Sequence, residues 1–355
     1  MKKNTVAIAM SGGIDSSVAA YLLLKKGYDV IGVTMKIWEE DSGYGTAKIE
    51  NIRKVAQKFN IPFYVFNLIK EFKENVIDYF CREYANARTP NPCIVCNEKI
   101  KFGYLFSKAQ EIGASFISTG HYANLKYNKG RYLLKKGKDL QKDQSYLLFS
   151  LSQYQLSHIL FPLGELTKDE VRKIAREIGL NSCIKEDSQE ICFIPENNYN
   201  KFLKKQRPDL VKEGDIITKE GEVLGKHKGI SFFTIGQRRK LRVGKGYPLY
   251  VINIEKRRNV LVVGKKEDTY ARGLIASSIN WISRDNPCQS EICEVKIRYQ
   301  HKPVPSIIFP LPGGRTKIDF TLPQEAVTPG QAVVFYRGDA VLGGGWIEKS
   351  ISQQS

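Results

Sequence analysis

The chain has 355 residues, more than one ordinary hydrophobic core accommodates, so two or three domains are expected. At 42% hydrophobic residues and a mean hydropathy of -0.32 it can fill those cores, while the lack of any apolar run near twenty residues excludes a membrane-spanning helix. A net charge of +18, recurring along the whole length, points to a polyanionic partner, nucleic acid first, although basic faces can also be merely solvating.

No signal peptide precedes the first apolar run, which predicts a cytoplasmic protein without a membrane partner. In that compartment seven cysteines, an odd number, predict reactive or metal-binding thiols and not a disulfide framework. Val6 to Met10 is short and β-branched and reads as a strand, Val18 to Leu24 as a helix. Between them Ser11-Gly-Gly-Ile-Asp-Ser-Ser17 turns the backbone close to whatever it binds, and its hydroxyls and amides at a helix N-terminus suit phosphate. No Gly-Lys-Ser/Thr follows, so this is not a Walker A loop. It resembles the pyrophosphate-binding loop of the ATP pyrophosphatase group, whose members cleave ATP to AMP and pyrophosphate while adenylating a carbonyl. The plain alternative is a capped strand-helix turn.

A second strand is predicted from Tyr28 to Ile37, with Met35 near the C-terminal end where open α/β sheets bind ligands. Ile49, Ile52, Val55, Ala56 and Phe59 form a helical face, followed by a strand from Ile61 to Leu68. Two more helical faces, one of Phe72, Val76, Tyr79, Phe80 and Tyr84 and one of Phe102, Leu105, Phe106, Ala109 and Ile112, precede a strand from Ala114 to Ser118 ending in Thr119-Gly-His-Tyr122. The alternation predicts a Rossmann-like, doubly wound parallel sheet.

Between the latter two helices, Arg88-Thr-Pro-Asn-Pro-Cys-Ile-Val-Cys-Asn97 reads as a stiff extended loop in which the prolines exclude helix. It presents Cys93 and Cys96, whose spacing fits half a zinc site, a redox pair or part of an iron–sulfur site. Thr167 to Glu170 is a capping box that opens a helix stopped by Gly179. The following segment, Ser182 to Pro195, reads as a loop bearing Cys192, which is either a mobile nucleophile or a buried core thiol. From about Gly214 short strands and glycine turns take over, made basic by Arg238-Arg239-Lys240 and Lys256-Arg257-Arg258. The alternation Cys293, Val295, Ile297, Tyr299 marks a half-buried strand of a C-terminal β-barrel, in which Cys288 and Cys293 read as structural. The expected domains are 1–199 for nucleotide binding and catalysis, 200–268 as a small, basic, β-rich centre suited to nucleic acid, and 269–355 as the barrel.

Seven motifs occur in a fixed order: the Ser-Gly-Gly-x-Asp-Ser-Ser loop, Thr89-Pro-Asn-Pro-x-x-x-Cys-Asn97, Thr119-Gly-His-Tyr-Ala123, Lys142-Asp-Gln-Ser-Tyr146, Asp187-Ser-Gln-Glu-Ile-Cys-Phe-Ile194, Thr234-Ile-Gly-Gln-Arg238 and Pro329-Gly-Gln-Ala-Val-Val-Phe-Tyr336. Together they resemble the bacterial tRNA-specific 2-thiouridylase family, which replaces the C2 oxygen of the wobble uridine with sulfur. The resemblance implies ATP on Ala9, Met10, Ser11, Gly12, Gly13, Ile14, Asp15 and Ser16, with Met35 and Gly120 beside the adenosine and Mg²⁺ assisted by Asp15. It implies a persulfide on Cys192 that Cys96 attacks or resolves as a disulfide. Asn91, Pro92 and Cys93 would meet the target base, and His121, Lys142, Asp143, Gln144, Arg298, Tyr299 and Gln331 the tRNA. His121 also has a structural reading. Many family members carry Asp where this chain has Cys93. Cys93, Cys96 and Cys192 therefore also form a candidate [4Fe-4S] ligand set, and the persulfide and cluster routes both stand. The implied partners are tRNA isoacceptors for Lys, Glu and Gln, and a sulfur donor such as a cysteine desulfurase or sulfur-relay protein. Two rival classes are an amide-forming adenylating synthetase and a non-catalytic, metal-stapled tRNA-binding protein.

Overall fold

The computed structural model describes residues 4–38, 44–180, 191–194, 196, 198–285 and 287–352. Cys183, residues 187–190 of the Cys192 motif and residues 39–43 lie outside the described residues, as does most of the loop expected over 182–195.

In the first unit β1 (Thr5–Ala9), β2 (Asp29–Lys36), β3 (Phe63–Asn67), β4 (Phe116–Ser118) and β7 (Ile159–Leu160) form one parallel sheet in the order β3-β2-β1-β4-β7. Alternate side chains of β1 serve different cores, as a two-fold side-chain period requires. Val6 and Ile8 pack with α1 (Ile14–Lys25), α2 (Tyr44–Lys58) and α8 (Lys168–Glu177), whereas Ala7 joins the aromatic core of Phe72, Phe80, Phe102 and Phe106. Helices on both faces make this the doubly wound arrangement expected.

The opposite face carries two long helical rods. One is α3 (Ile69–Phe72) running through a π-helical stretch (Lys73–Ile77) into α4 (Asp78–Ala85). The other is α5 (Pro92–Val95), a π-helical stretch (Cys96–Leu105) and α6 (Phe106–Glu111). This corrects the extended reading of the Pro-Cys-x-x-Cys segment: only its first residues are extended, and helix begins at Pro92. Proline at a first helical position lacks only an N–H that would have had no partner, so it starts the helix instead of forbidding it.

A hairpin, β5 (Ala123–Asn128) and β6 (Arg131–Lys136), leaves the first unit altogether. It turns at Lys129 and Gly130, both at positive φ, and β6 meets the C-terminal barrel at Lys135↔Ala340. α7 (Gln153–Ser157) and α9 (Tyr199–Gln206) complete the α-helices among the described residues.

The middle unit is a four-stranded sheet of β8 (Gly214–Thr218), β9 (Val223–His227), β10 (Tyr250–Glu255) and β11 (Val260–Gly264), ordered β10-β11-β8-β9 around Ile216, Val251, Leu261 and Val263. The last unit is a barrel of β12 (Tyr270–Trp281), β13 (Glu291–Lys296), β14 (Val304–Leu311), β15 (Arg315–Glu325), β16 (Ala332–Arg337) and β17 (Ala340–Ser352), closed by β12 pairing with β17. Closure removes sheet edges. Cys293 lies buried in its core, whereas Cys288 is exposed and precedes the strand.

Candidate active site

The loop at the end of β1 is knitted by its own serines. Ser16 Oγ donates to the Gly13 carbonyl at 3.0 Å and receives the Ser11 N–H at 3.2 Å, and Ser17 Oγ donates to Gly13 at 3.1 Å. Gly12 sits at φ +80, a left-handed conformation suited to glycine. Gly13 caps α1 without a side-chain bond, so the first-turn amides point outward with no carbonyl ahead of them. Asp15 does not cap. Its carboxylate receives the Tyr122 hydroxyl at 2.7 Å and Lys168 Nζ at 2.8 Å on both oxygens. A carboxylate beside a phosphate-type loop is of the oxygen-donor class that suits Mg²⁺.

The other residues expected around ATP gather at the same sheet end. Met10 is buried behind the loop, its N–H on Val33 O and its carbonyl on Thr34 Oγ1. Ala9 pairs with Val33, two residues before Met35. Gly120 follows β4 and presses on the start of α1: a Cβ there would stand 2.8 Å from both Asp15 C and Ser16 N.

The thiols form a second group. Cys96 opens the π-helical stretch, 7% exposed, one helical turn beyond the half-buried Cys93. Cys192 is exposed, which corrects the core-thiol alternative; its neighbour Phe193 is the buried residue, wedged against Phe72, Phe80 and Phe202. This wedge brings Cys192 to the helical pair. Burial pushes the Cys96 thiol up to about 12, the Lys101 ammonium pulls it back, and charge on Cys192 and Cys93 pushes it further up. Burial likewise raises Cys93, again opposed by Lys101 and reinforced by Cys192. Lys101 Nζ is held 2.9 Å from Asn97 Oδ1, and Asn97 is tied to Leu147 O at 3.0 Å.

Three thiolates are the right donor chemistry for an iron–sulfur cluster, but this arrangement does not fit one. Among the described residues no three His, Cys, Asp or Glu are placed to hold a metal ion. The described cysteines form no disulfide.

The C-terminal barrel grips the start of the cysteine helix. Thr89 N–H donates to Pro329 O at 2.8 Å, and the Gln331 amide donates to the Thr89 and Pro90 carbonyls at 3.0 and 3.1 Å. Asn91 and Pro92, at the helix entry, are thereby fixed by a domain more than two hundred residues away. Arg298, Tyr299 and Gln331 line a cavity of about 460 Å³ with Gln300 and His301. Burial, then Asp143, then Cys93 raise the Tyr299 hydroxyl to about 12, which sets that cavity next to the thiols.

Several residues expected to touch tRNA are engaged internally. Asp143, 6% exposed, accepts from the Gly137 and Ser145 amides and the Ser145 hydroxyl. Gln144 Oε1 accepts the Tyr122 N–H at 3.1 Å. His121 is buried against Phe102 and Phe161, shares a hydrogen at 2.6 Å with Thr119 Oγ1, and burial followed by the Lys101 charge holds it well below the ordinary histidine range. Lys142 remains half-exposed on the same loop.

Each of the three units has a counterpart among known protein families. Residues 4–196 fit the tRNA methyl transferase HUP domain family, 200–265 the tRNA methyl transferase PRC-barrel domain, and 271–347 the aminomethyltransferase beta-barrel domain. The tRNA-specific 2-thiouridylase MnmA of Clostridium perfringens is 50% identical over 98% of this chain and 99% of its own. That of Clostridium acetobutylicum is 48% identical over 97% and 99%. The chain belongs to the tRNA-specific 2-thiouridylase family. It is an ATP-using tRNA sulfurtransferase. Among solved structures, U34-tRNA thiolase NcsA from Methanococcus maripaludis with its [4Fe-4S] cluster is 22% identical at TM-score 0.36, covering 59% of this chain and 67% of that one, too distant to transfer residue roles.

Two residues of this thiouridylase escaped the motif reading. Lys101 lies one turn after Asn97 in a helix that read as an apolar face, and only the fold turns it toward the thiols. Lys168 lay inside the capping box, whose geometry fixes it at the first position of α8. A hairpin signal, Asn128-Lys-Gly130 between alternating residues, also marked β5 and β6.

Proposed function

We propose that the enzyme adenylates the C2 oxygen of the wobble uridine and replaces it with sulfur carried as a persulfide on Cys192. The uridine oxygen attacks the α-phosphorus of ATP, the bond to the β-phosphate oxygen breaks, and pyrophosphate departs with the electron pair. The poor leaving group at C2 is now AMP. The outward amides of the Ser11–Ser17 loop are suited to hold the phosphates during this step. Mg²⁺, assisted by Asp15, would offset phosphate charge when bound.

Sulfur then reaches C2 by thiol–disulfide exchange. Cys96 attacks Sγ of the Cys192 persulfide, a Cys96–Cys192 disulfide forms and hydrosulfide leaves to displace AMP; a dithiol reductant and a fresh sulfur donor reset the pair. The observation that carries this reading is the exposed Cys192 brought beside the buried Cys96 near Lys101. Asn91, Pro92 and Cys93 would receive the extruded base, since C2 cannot be reached within a stack. Arg298, Tyr299 and Gln331 would hold the adjoining tRNA in their cavity, with His121, Lys142, Asp143 and Gln144 shaping the loop beside it.

The test is 2-thiouridine formation from a tRNA transcript, ATP and a sulfur donor, with iron and acid-labile sulfide measured on protein purified without oxygen. Activity in iron-free protein supports the persulfide. Activity that tracks about four irons per chain replaces it with the cluster route. ATP/pyrophosphate exchange that proceeds without tRNA would instead indicate a small-substrate synthetase.

A further inference from the structure

The nucleotide loop contains no lysine, yet the triphosphate of ATP brings about four negative charges that a helix end, about half a positive charge, does not match. A lysine stands at that place all the same. Lys168 comes from the first turn of α8, 153 residues after Asp15 in sequence, and its Nζ lies 2.8 Å from each carboxylate oxygen of Asp15. It is only 4% exposed. Asp15 lies in the first turn of α1, directly beneath the outward amides of the loop.

The position of Lys168 is braced from several sides. The capping box of Thr167 and Glu170 fixes the turn from which it projects, and its own N–H donates to Asp139 Oδ2 at 3.0 Å. Its ammonium lies 5.8 Å from the centre of the Tyr122 ring, whose hydroxyl bonds the same Asp15. The Lys168 side chain is 5% and the Asp15 side chain 30% exposed, and an ion pair so far withdrawn from water is a poor device for stability, because apolar residues of similar volume do as well or better.

Resting on the reading of ATP as the adenylating substrate, we propose that Lys168 is the cation that binds the β- and γ-phosphates, passing from Asp15 to the nucleotide when ATP enters. It does from α8 what the lysine of a Gly-Lys-Ser/Thr loop does from within its own loop. As the bond between the α-phosphorus and the β-phosphate oxygen breaks, negative charge collects on the departing pyrophosphate, and the ammonium stabilises it there. AMP, which lacks those phosphates, makes no use of Lys168.

That difference supplies a readout which a purely structural lysine would not move. The full-length protein is titrated calorimetrically with α,β-methylene-ATP and with AMP. Lys168→Gln should weaken the ATP analogue by about 30-fold and change AMP by less than about twofold, and Lys168→Arg should retain part of the preference. If the lone Asp15 charge prevents Lys168→Gln from folding, the double variant Asp15→Asn/Lys168→Gln is compared with Asp15→Asn alone and should bind the analogue more weakly than that variant while binding AMP alike. An equal loss for both ligands, or no loss for either, overturns the assignment. A wild-type protein that binds the analogue no better than AMP overturns the ATP reading of the loop itself, and the inference with it.

Discussion

Cys96 is buried where a nucleophile is expected to be reachable, and this sets its pH behaviour. A thiol held up to about 12 is almost wholly protonated at neutral pH, and its thiolate fraction rises tenfold per pH unit below that value. The single-turnover sulfur-transfer rate should therefore climb about tenfold per unit between roughly pH 7 and 9. Lys101→Met should lower that rate throughout, because the ammonium is what pulls the thiol down; a flat profile would mean that another group or step limits transfer. The same shift favours the folded state while the thiol is protonated, an advantage present below its ordinary value of 9.0 and lost as pH rises toward 12. Cys96→Ala and Cys192→Ala should each abolish 2-thiouridine formation yet leave tRNA affinity within about twofold in filter binding, since neither thiol is a large part of the interface. Normal thiouridine yield from either variant would sink the assignment. The thiols themselves were legible because a Cys-x-x-Cys pair and an odd total of seven cysteines demand an explanation. Lys101 and Lys168 were not, because a lysine on a helix ordinarily faces solvent and only tertiary packing distinguishes these two.

At the scale of elements, the rod from Pro92 to Glu111 does two things. Its first turn presents Cys93 and Cys96, and its π-helical middle shifts Asn97 and Lys101 around the axis relative to a regular α-helix, the kind of irregularity that recurs at functional sites. The prolines were legible as stiffness but misread as extension, since helix-forbidding and helix-starting proline differ only by position. The rod's entry is set by the barrel loop Pro329-Gly-Gln331. Gly330 lies at φ +91, and a Cβ there would stand 2.9 Å from the Thr89 carbonyl oxygen. Gly330→Ala should thus displace the entry, and Gln331→Ala should release two carbonyl acceptors at a cost of about 1–2 kcal/mol. Both should reduce single-turnover thiolation by more than they reduce tRNA affinity. A proportionate loss of the two would show that the loop acts only by binding tRNA.

For the whole molecule, the doubly wound parallel sheet, the C-terminal barrel and the glycine-rich centre followed from periodicity and turn residues. The long-range joins did not: β6 reaching β17, and the barrel holding the cysteine helix, are pairings between segments about two hundred residues apart that no local pattern encodes. These joins make the catalytic and barrel units one support for a large substrate, while the middle unit carries basic residues outward. Arg238, Arg239 and Lys240 are all exposed there, as are Lys256, Arg257 and Arg258. If the first three neutralise tRNA phosphates, each bound phosphate releases counterions, and the logarithm of affinity falls with the logarithm of salt by about 0.7 to 0.9 per contact. Reversing all three charges to Glu should weaken tRNA binding most at low salt and flatten that slope by about two to three. ATP-analogue binding should stay unchanged, because the patch belongs to a different domain from the loop. An unaltered slope would remove the patch from the interface and leave the cavity at Arg298 and Tyr299, with the loop of Lys142, to account for recognition of the polyanion.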